Sequence, residues 1–306
     1  MLEFPDRVRI VEVGPRDGLQ NEDTPIKTEA KVAFIDRLSA SGLPHIEVTA
    51  FVNPKRVPQL ADADEVCKRI ARRDGVVYSA LVPNEHGYER ARDAGLSNIA
   101  VFLSASETHN QRNIGCSIDV AFARFEPVLA RASSDGVDVR GYVSTAFGCP
   151  YEGFVPPEHV VEIARRLLDM GCYQVSLGDT TGMGNPAQVA RTVEMLAAPS
   201  DRVALHLHDT RGTGLANALA GLQAGVTTFD ASTGGVGGCP YAPGATGNVA
   251  TDELVFMFEE MGVSTGISLE VLLEAAELLA AALGSPVPSR YLKATRADAA
   301  RRATER

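Results

Sequence analysis

Short β-branched runs alternate with longer stretches of helical periodicity along the chain, and no other feature limits its possible folds so strongly. The runs are VRIVEV (8–13), HIEVTA (45–50), VVYSAL (76–81), NIAVFLSA (98–105), VRGYVST (139–145), QVSLGD (174–179), VALHLHD (203–209) and TTFDAS (227–232). Between them stand patterns such as KTEAKVAFIDRLSASG and PEHVVEIARRLLDMG, with apolar residues spaced by three and four and a glycine stop. Repeated βα units force parallel strands joined by crossover helices, and eight of them in about 250 residues match the size of a closed (β/α)8 TIM barrel. A doubly wound open sheet is the alternative, but no GxGxxG opens the first helix. After the eighth run, TDELVFMFEEMG and SLEVLLEAAELLAAALG predict two extra C-terminal helices covering the barrel. One α/β domain is therefore expected over 1–284, followed by a charged, fraying tail over 285–306.

Composition narrows the function classes. A chain of 306 residues with 45% hydrophobic residues has material for a sizeable core, and a net charge of -10 argues against nucleic acid or an anionic membrane surface as main partner. The N-terminal MLEFPDRVRIVEVG lacks the layout of a signal or transit peptide, no apolar run reaches the length of a membrane span, and RRATER is no peroxisomal address. A cytoplasmic protein with a small-molecule ligand is the expectation. The five cysteines, Cys67, Cys116, Cys149, Cys172 and Cys239, form no CxxC pair and suggest neither a disulfide framework nor a structural zinc site.

In such a barrel the catalytic groups come from the C-terminal ends of the strands, which converge on one mouth. The first run leads into GPRDGLQNE, offering Arg16, Asp17, Gln20 and Glu22. The second carries Glu47, the fourth leads to SASETHNQRN, the fifth to Ser144 and Thr145, the sixth to Asp179 and Thr180, and the seventh to His206 and His208. After the eighth comes GGVGGCPYAPGATGN. His206 and His208, two apart on a strand, point to one face, which means a pocket or a metal. Asp17 and Asn248 would complete a set of two nitrogens and two oxygens, leaving two positions of an octahedral ion for substrate oxygens. Such ligands suit Mg2+, Mn2+, Co2+ or Fe2+ better than tetrahedral zinc. The two-His-one-carboxylate theme also fits a non-haem iron oxygenase, against which the added Asn and the barrel weigh. Asp209 alternates away from the histidines and reads as a support for them or a helix cap.

The motifs VEVGPRDGLQNE, RGYVSTAFGCPYEG, SLGDTTG, HLHDTRGTGLAN and GGVGGCPYAPGATGNVATDEL, in that order, resemble the 3-hydroxy-3-methylglutaryl-CoA lyase family of TIM-barrel metallolyases. The resemblance runs from about Val8 to Gly284. It implies a carbon–carbon lyase that cleaves an acyl-CoA bearing a tertiary 3-hydroxyl, giving acetyl-CoA and acetoacetate in the parent reaction, as in leucine degradation or ketone-body formation. It also implies Asp17, His206, His208 and Asn248 as ligands of a divalent cation, Mg2+ or Mn2+, and Arg16, Glu47, Asp179 and Cys239 as catalytic positions. Arg16, Gln20, Ser144, Thr145 and Thr180 are the expected substrate contacts.

The chemistry explains the residue types. A cation on the 3-hydroxyl eases loss of its proton, and a fixed guanidinium such as Arg16 stabilises the acetyl-CoA enolate that departs. Cys239, in a glycine-rich loop suited to a lid, can deliver a proton to that enolate. Glu47 either pairs with Arg16 or helps move the hydroxyl proton, and Asp179 is either a general base or an orienter of a histidine or water. The chain departs from family members at Asp23, where many have Lys, and at Arg211–Thr213, where many have Tyr-Gly-Gln. A substrate with a longer branch at C3 therefore stays open. The rivals are the isopropylmalate, citramalate and homocitrate synthases, which usually run on into further domains, a 4-hydroxy-2-oxo-acid aldolase, and an idle metal-binding scaffold. A homo-oligomer, dimer or tetramer, is left open.

Overall fold

The computed structural model describes residues 4–23, 25–238 and 246–305. Eight parallel strands close into a barrel in sequence order: β1 (Arg9–Glu12), β2 (His45–Ala50), β3 (Val77–Leu81), β4 (Asn98–Ser104), β5 (Asp138–Ser144), β6 (Gln174–Gly178), β7 (Val203–His206) and β8 (Thr228–Ala231). Closure is made by β1 on β8, with Arg9 opposite Thr228 and Glu12 opposite Ala231. This is the TIM barrel that the alternation predicts. Each run appears as a strand, several shortened by one to three residues where the chain bends into a loop.

The helices form the outer ring. The chain passes through α1 (Thr28–Ser39), α2 (Ala63–Arg69), α3 (Glu85–Asp93), α4 (Glu107–Ile114) and α5 (Ile118–Asp135), then α6 (Pro157–Asp169), α7 (Pro186–Leu196) and α8 (Gly214–Gln223). Their starts carry the expected caps. The Asn185 side chain accepts from the Gln188 amide in a full capping box at α7, and Ser117 caps α5. Between this ring and the outer barrel face lies one continuous apolar core, including Ile10, Ile46, Val101, Leu177, Leu205 and Phe229 from the strands. These alternate with inward residues, as the two-residue strand period requires.

Two helices after β8, α9 (Thr251–Glu260) and α10 (Leu269–Leu283), match the predicted pair. The stretch expected to fray holds a third, α11 (Arg290–Thr304). Ser289 caps it by accepting from the Leu292 amide at 3.0 Å, and Val287 and Leu292 are buried against the core. Most of the rest of α11 is exposed, so the helix is fixed from its first turn.

The barrel interior is polar in its lower half. Arg140, on β5, is completely enclosed and reaches Gln174 Oε1 at 2.9 Å, the Tyr142 hydroxyl at 3.1 Å and Asp230 Oδ1 at 2.7 Å. Ser176 donates to the other Asp230 oxygen at 2.8 Å. His45 Nε2 lies 2.7 Å from Ser79 Oγ, and burial, aided by Arg140, pushes its pKa down to about 3. A floor of paired charges thus underlies the mouth.

Candidate active site

Immediately after β1 the chain makes a tight turn, Gly14–Gly18, in which the amides of Arg16, Asp17 and Gly18 all point at the Val13 carbonyl, at 3.1, 2.7 and 3.2 Å. The turn lifts Arg16 and Asp17 over the barrel mouth. Gly18 is required by close approach, because a Cβ there would lie 2.8 Å from both Ser232 Oγ and Val236 Cγ2. Glu12 anchors the turn from beneath: its carboxyl accepts the amides of Gly14 and Thr233, both at 2.8 Å, and the hydroxyls of Thr233 and Thr251 at 2.6 and 2.7 Å.

β7 ends at His206, and His208, just beyond, is held by a bridge to Asn248. Both imidazoles face the mouth, with their Nε2 atoms 3.3 Å apart, and His206 Nε2 lies 3.6 Å from Asp17 Oδ2. Asn248 joins from the far end of the barrel, its Nδ2 3.0 Å from the same Asp17 oxygen. Donor atoms of Asp17, His206 and His208 all fall within 4.8 Å of one another. Donor atoms of three expected ligands therefore converge, and Asn248 stands beside them with its amide hydrogen-bonded to Asp17.

These residues fit a divalent cation on three grounds. Donors about 2.1 Å from a shared ion lie roughly 3.0 Å apart when adjacent in an octahedron, close to the spacings found. Burial and the neighbouring His206 lower His208 to a pKa of about 3, so it offers a lone pair rather than a charge. Burial opposes ionisation of Asp17, yet Arg16 and the two histidines outweigh it and hold the carboxyl well below the usual range. Asp230 stands 3.4 Å behind His206 Nδ1, in position to fix the tautomer that turns Nε2 to the site.

Beside the ligands, Arg16 donates through Nε to Glu47 Oε1 at 2.5 Å and through Nη1 to Asp17 Oδ1 at 2.5 Å. Glu47 also accepts from the Tyr142 hydroxyl at 2.5 Å. Of the two roles left open for Glu47, pairing with Arg16 is the one seen. Tyr142 lies between the guanidiniums of Arg16 and Arg140, 5.4 and 5.2 Å from its ring centre, and burial followed by the charge of Glu47 pushes its hydroxyl well above the ordinary pKa. Asp179 is turned onto its own loop, accepting the amides of Met183 at 2.9 Å and Gly184 at 3.1 Å. Burial nevertheless raises it to about 6.

The remaining expected contacts are spread around the mouth. Thr145, at a left-handed φ of 56°, gives its amide to Thr180 Oγ1 at 2.9 Å and its hydroxyl to the Ser144 carbonyl at 2.7 Å. Ser144 and Gln20 are half-buried, at the end of β5 and just past the Arg16–Asp17 turn. Asn110 is fully buried and structural, bridging the Ser104 amide and the Cys116 carbonyl. Arg211 donates to the Thr181 carbonyl at 2.5 Å, tying together the loops after β6 and β7. Cys239 lies outside the described residues. Sequence reasoning missed Tyr142, Arg140 and Asp230; the signal was available, since an arginine within a strand run needs an inward carboxylate partner.

The HMGL-like family profile matches residues 7–279. A hydroxymethylglutaryl-CoA lyase of Bacillus subtilis is 49% identical over 294 residues, 95% of this chain and 98% of that protein. A 3-hydroxy-3-isohexenylglutaryl-CoA/hydroxymethylglutaryl-CoA lyase of Pseudomonas aeruginosa is 48% identical over 300 residues, covering 97% and 100%. The crystal structure of an HMG-CoA lyase from Acinetobacter baumannii, in complex with coenzyme A and 3-methylmalate, superposes with a TM-score of 0.91 at 41% identity, covering 96% of this chain and 97% of that one. With its closed barrel, its Arg16–Asp17 turn and its paired histidines, the chain belongs to the HMGL-like family.

Proposed function

We propose that the chain is a hydroxymethylglutaryl-CoA lyase, splitting (S)-3-hydroxy-3-methylglutaryl-CoA into acetyl-CoA and acetoacetate. The observation that carries the reading is the convergence of Asp17, His206, His208 and Asn248 beside the Arg16–Glu47 pair. Those four residues would hold a divalent cation, Mg2+ or Mn2+ by ligand type, which when bound would supply Lewis-acid polarisation of the 3-hydroxyl. Cleavage breaks the C2–C3 bond: the hydroxyl proton leaves, C3 becomes the ketone of acetoacetate, and the electron pair passes to the thioester as an enolate. Arg16 is held by Glu47 and Asp17 with its guanidinium fixed, so it meets the developing enolate charge without reorganising. Tyr142 keeps Glu47 in place from the other side. Cys239 gives the proton that turns the enolate into acetyl-CoA, and Asp179 orders the loop after β6 and takes part in proton removal.

The test is direct. Purified, metal-stripped protein is incubated with 3-hydroxy-3-methylglutaryl-CoA, with and without Mg2+ or Mn2+, and acetoacetate is followed. Metal-dependent release is expected; bound metal without release refutes the reading. Running the isohexenyl substrate of the Pseudomonas aeruginosa relative alongside measures how large a C3 branch the pocket takes.

A further inference from the structure

Asp209 follows His208 directly, and its groups are all engaged. Its amide donates to the Gly247 carbonyl at 2.6 Å, its carbonyl accepts from Thr246 Oγ1 at 3.2 Å, and Oδ1 takes the Gly214 amide at the start of α8 at 2.8 Å. The remaining oxygen, Oδ2, accepts from Arg290 Nη2. The same guanidinium holds Glu253 of α9, Nε to Oε1 at 3.1 Å and Nη2 to Oε2 at 2.8 Å, while the Arg290 amide reaches Oε1 at 2.6 Å. Next to it, Ser289 donates its hydroxyl to Asp252 and its amide to the Gly234 carbonyl at 2.9 Å. Asp209 and Glu253 are both more than nine-tenths buried, and Arg290 is the cation paired with each among the described residues. Residues 239–245 contain no Lys or Arg that could replace it.

These contacts lie on the wall of a cavity of about 240 Å³ that Asn248 also lines, together with Gly235 and Pro288. One arginine thus joins the residue behind His208 to the helix that follows Asn248. Without it, two buried carboxylates would face the cavity with no counter-charge, and repulsion would act on the two segments that present ligands. We propose that Arg290 is a positioning residue for the candidate metal site, and that the start of α11 is part of the framework that sets His208 and Asn248. The proposal rests on the metal-site reading above. Exposed ion pairs are ordinarily worth little, but here the arginine caps buried partners and forks across both.

The experiment measures the Mn2+ dissociation constant by calorimetry, the Co2+ absorption spectrum, and the melting temperature of the metal-free protein. Arg290→Ala should weaken Mn2+ binding roughly 10- to 100-fold, the range seen when a support of a metal ligand is removed, and should alter the Co2+ bands. Arg290→Gln, which keeps donors and packing, carries the same expectation if the alanine variant does not fold. Arg290→Lys should fall between, because an ammonium keeps the charge but lacks the planar guanidinium that grips Glu253 through Nε and Nη2 while Nη2 also reaches Asp209. Arg296→Ala, on α11 as well, breaks only an exposed pair with Glu277 of α10 and should leave Mn2+ affinity unchanged. An Mn2+ affinity within about twofold of the unmutated protein in Arg290→Gln would overturn the inference, whatever happens to the melting temperature. Failure of the unmutated protein to bind Mn2+ would instead overturn the metal-site reading, and this inference with it.

Discussion

Asp230→Asn separates what the barrel floor does for stability from what it does for the metal ligands. Asp230 neutralises Arg140, which is entirely enclosed, and also stands behind His206 Nδ1. Burial alone would raise its pKa, but Arg140 and His206 outweigh that and hold it low, so the group is a carboxylate at neutral pH. Asparagine keeps the shape and removes the charge, leaving a buried guanidinium without its counter-ion. Breaking a buried pair on one side costs about 3–5 kcal/mol. Urea denaturation of the metal-free protein should show that loss. The double variant Arg140→Met/Asp230→Leu removes both charges and should recover most of the stability, because an apolar pair of similar volume is often neutral or better. Metal affinity should behave differently: both the single and the double variant lack the carboxylate behind His206, so Mn2+ binding should stay weakened roughly 10- to 100-fold in each. A single variant within about 1 kcal/mol of the unmutated protein, or a double variant that regains metal affinity along with stability, would refute the reasoning.

Three further outcomes are expected. His45 is held neutral, near a pKa of 3 against 6.5 in the unfolded chain, so below pH 6.5 the unfolded state binds the extra proton and stability falls as pH drops toward 3. His45→Gln should therefore flatten the acid limb of a stability–pH curve by up to about 1.4 kcal/mol per unit across that window, checked by denaturation at several pH values. Arg16→Gln should lower kcat/KM by about 10²–10³, the cost of a group that meets charge mainly in the transition state; a change confined to KM would show that Arg16 serves ground-state binding. Cys239→Ser should bind metal and substrate yet turn over slowly, whereas His206→Ala should lose the metal, and equal loss of metal in both would contradict that division of roles.

Much of this architecture is legible in the sequence. Alternation of β-branched runs and helical periods gives the barrel, and the barrel rule that strand ends converge brings Asp17, Glu47 and the two histidines together. What the chain does not announce is pairing across the barrel. The two-residue period says that Arg140 and Tyr142 point inward, but not that Asp230, 90 residues on, meets the first, or that Glu47, 95 residues back, meets the second. Such contacts depend on the tilt and stagger of strands that are not sequence neighbours. The last segment is helical where the sequence suggests fraying, for a different reason. Its helix has little apolar surface and docks through a capping serine, two buried aliphatic residues and one arginine, none of which a periodicity search weighs.

The arrangement of the ligands also bears on how the chain folds. Asp17 and Asn248 are 231 residues apart in sequence and 3.0 Å apart in space, on either side of the seam where β8 meets β1. No partial barrel carries both. Joining that seam is the most non-local event in the topology, of the kind that slows folding, and the ion can be gripped fully only after it has happened. Metal in the refolding medium should then act late, slowing the reopening of a finished barrel more than it speeds the first collapse. Apoprotein and metal-loaded protein would leave the unfolded state at similar rates and differ in how long they stay folded.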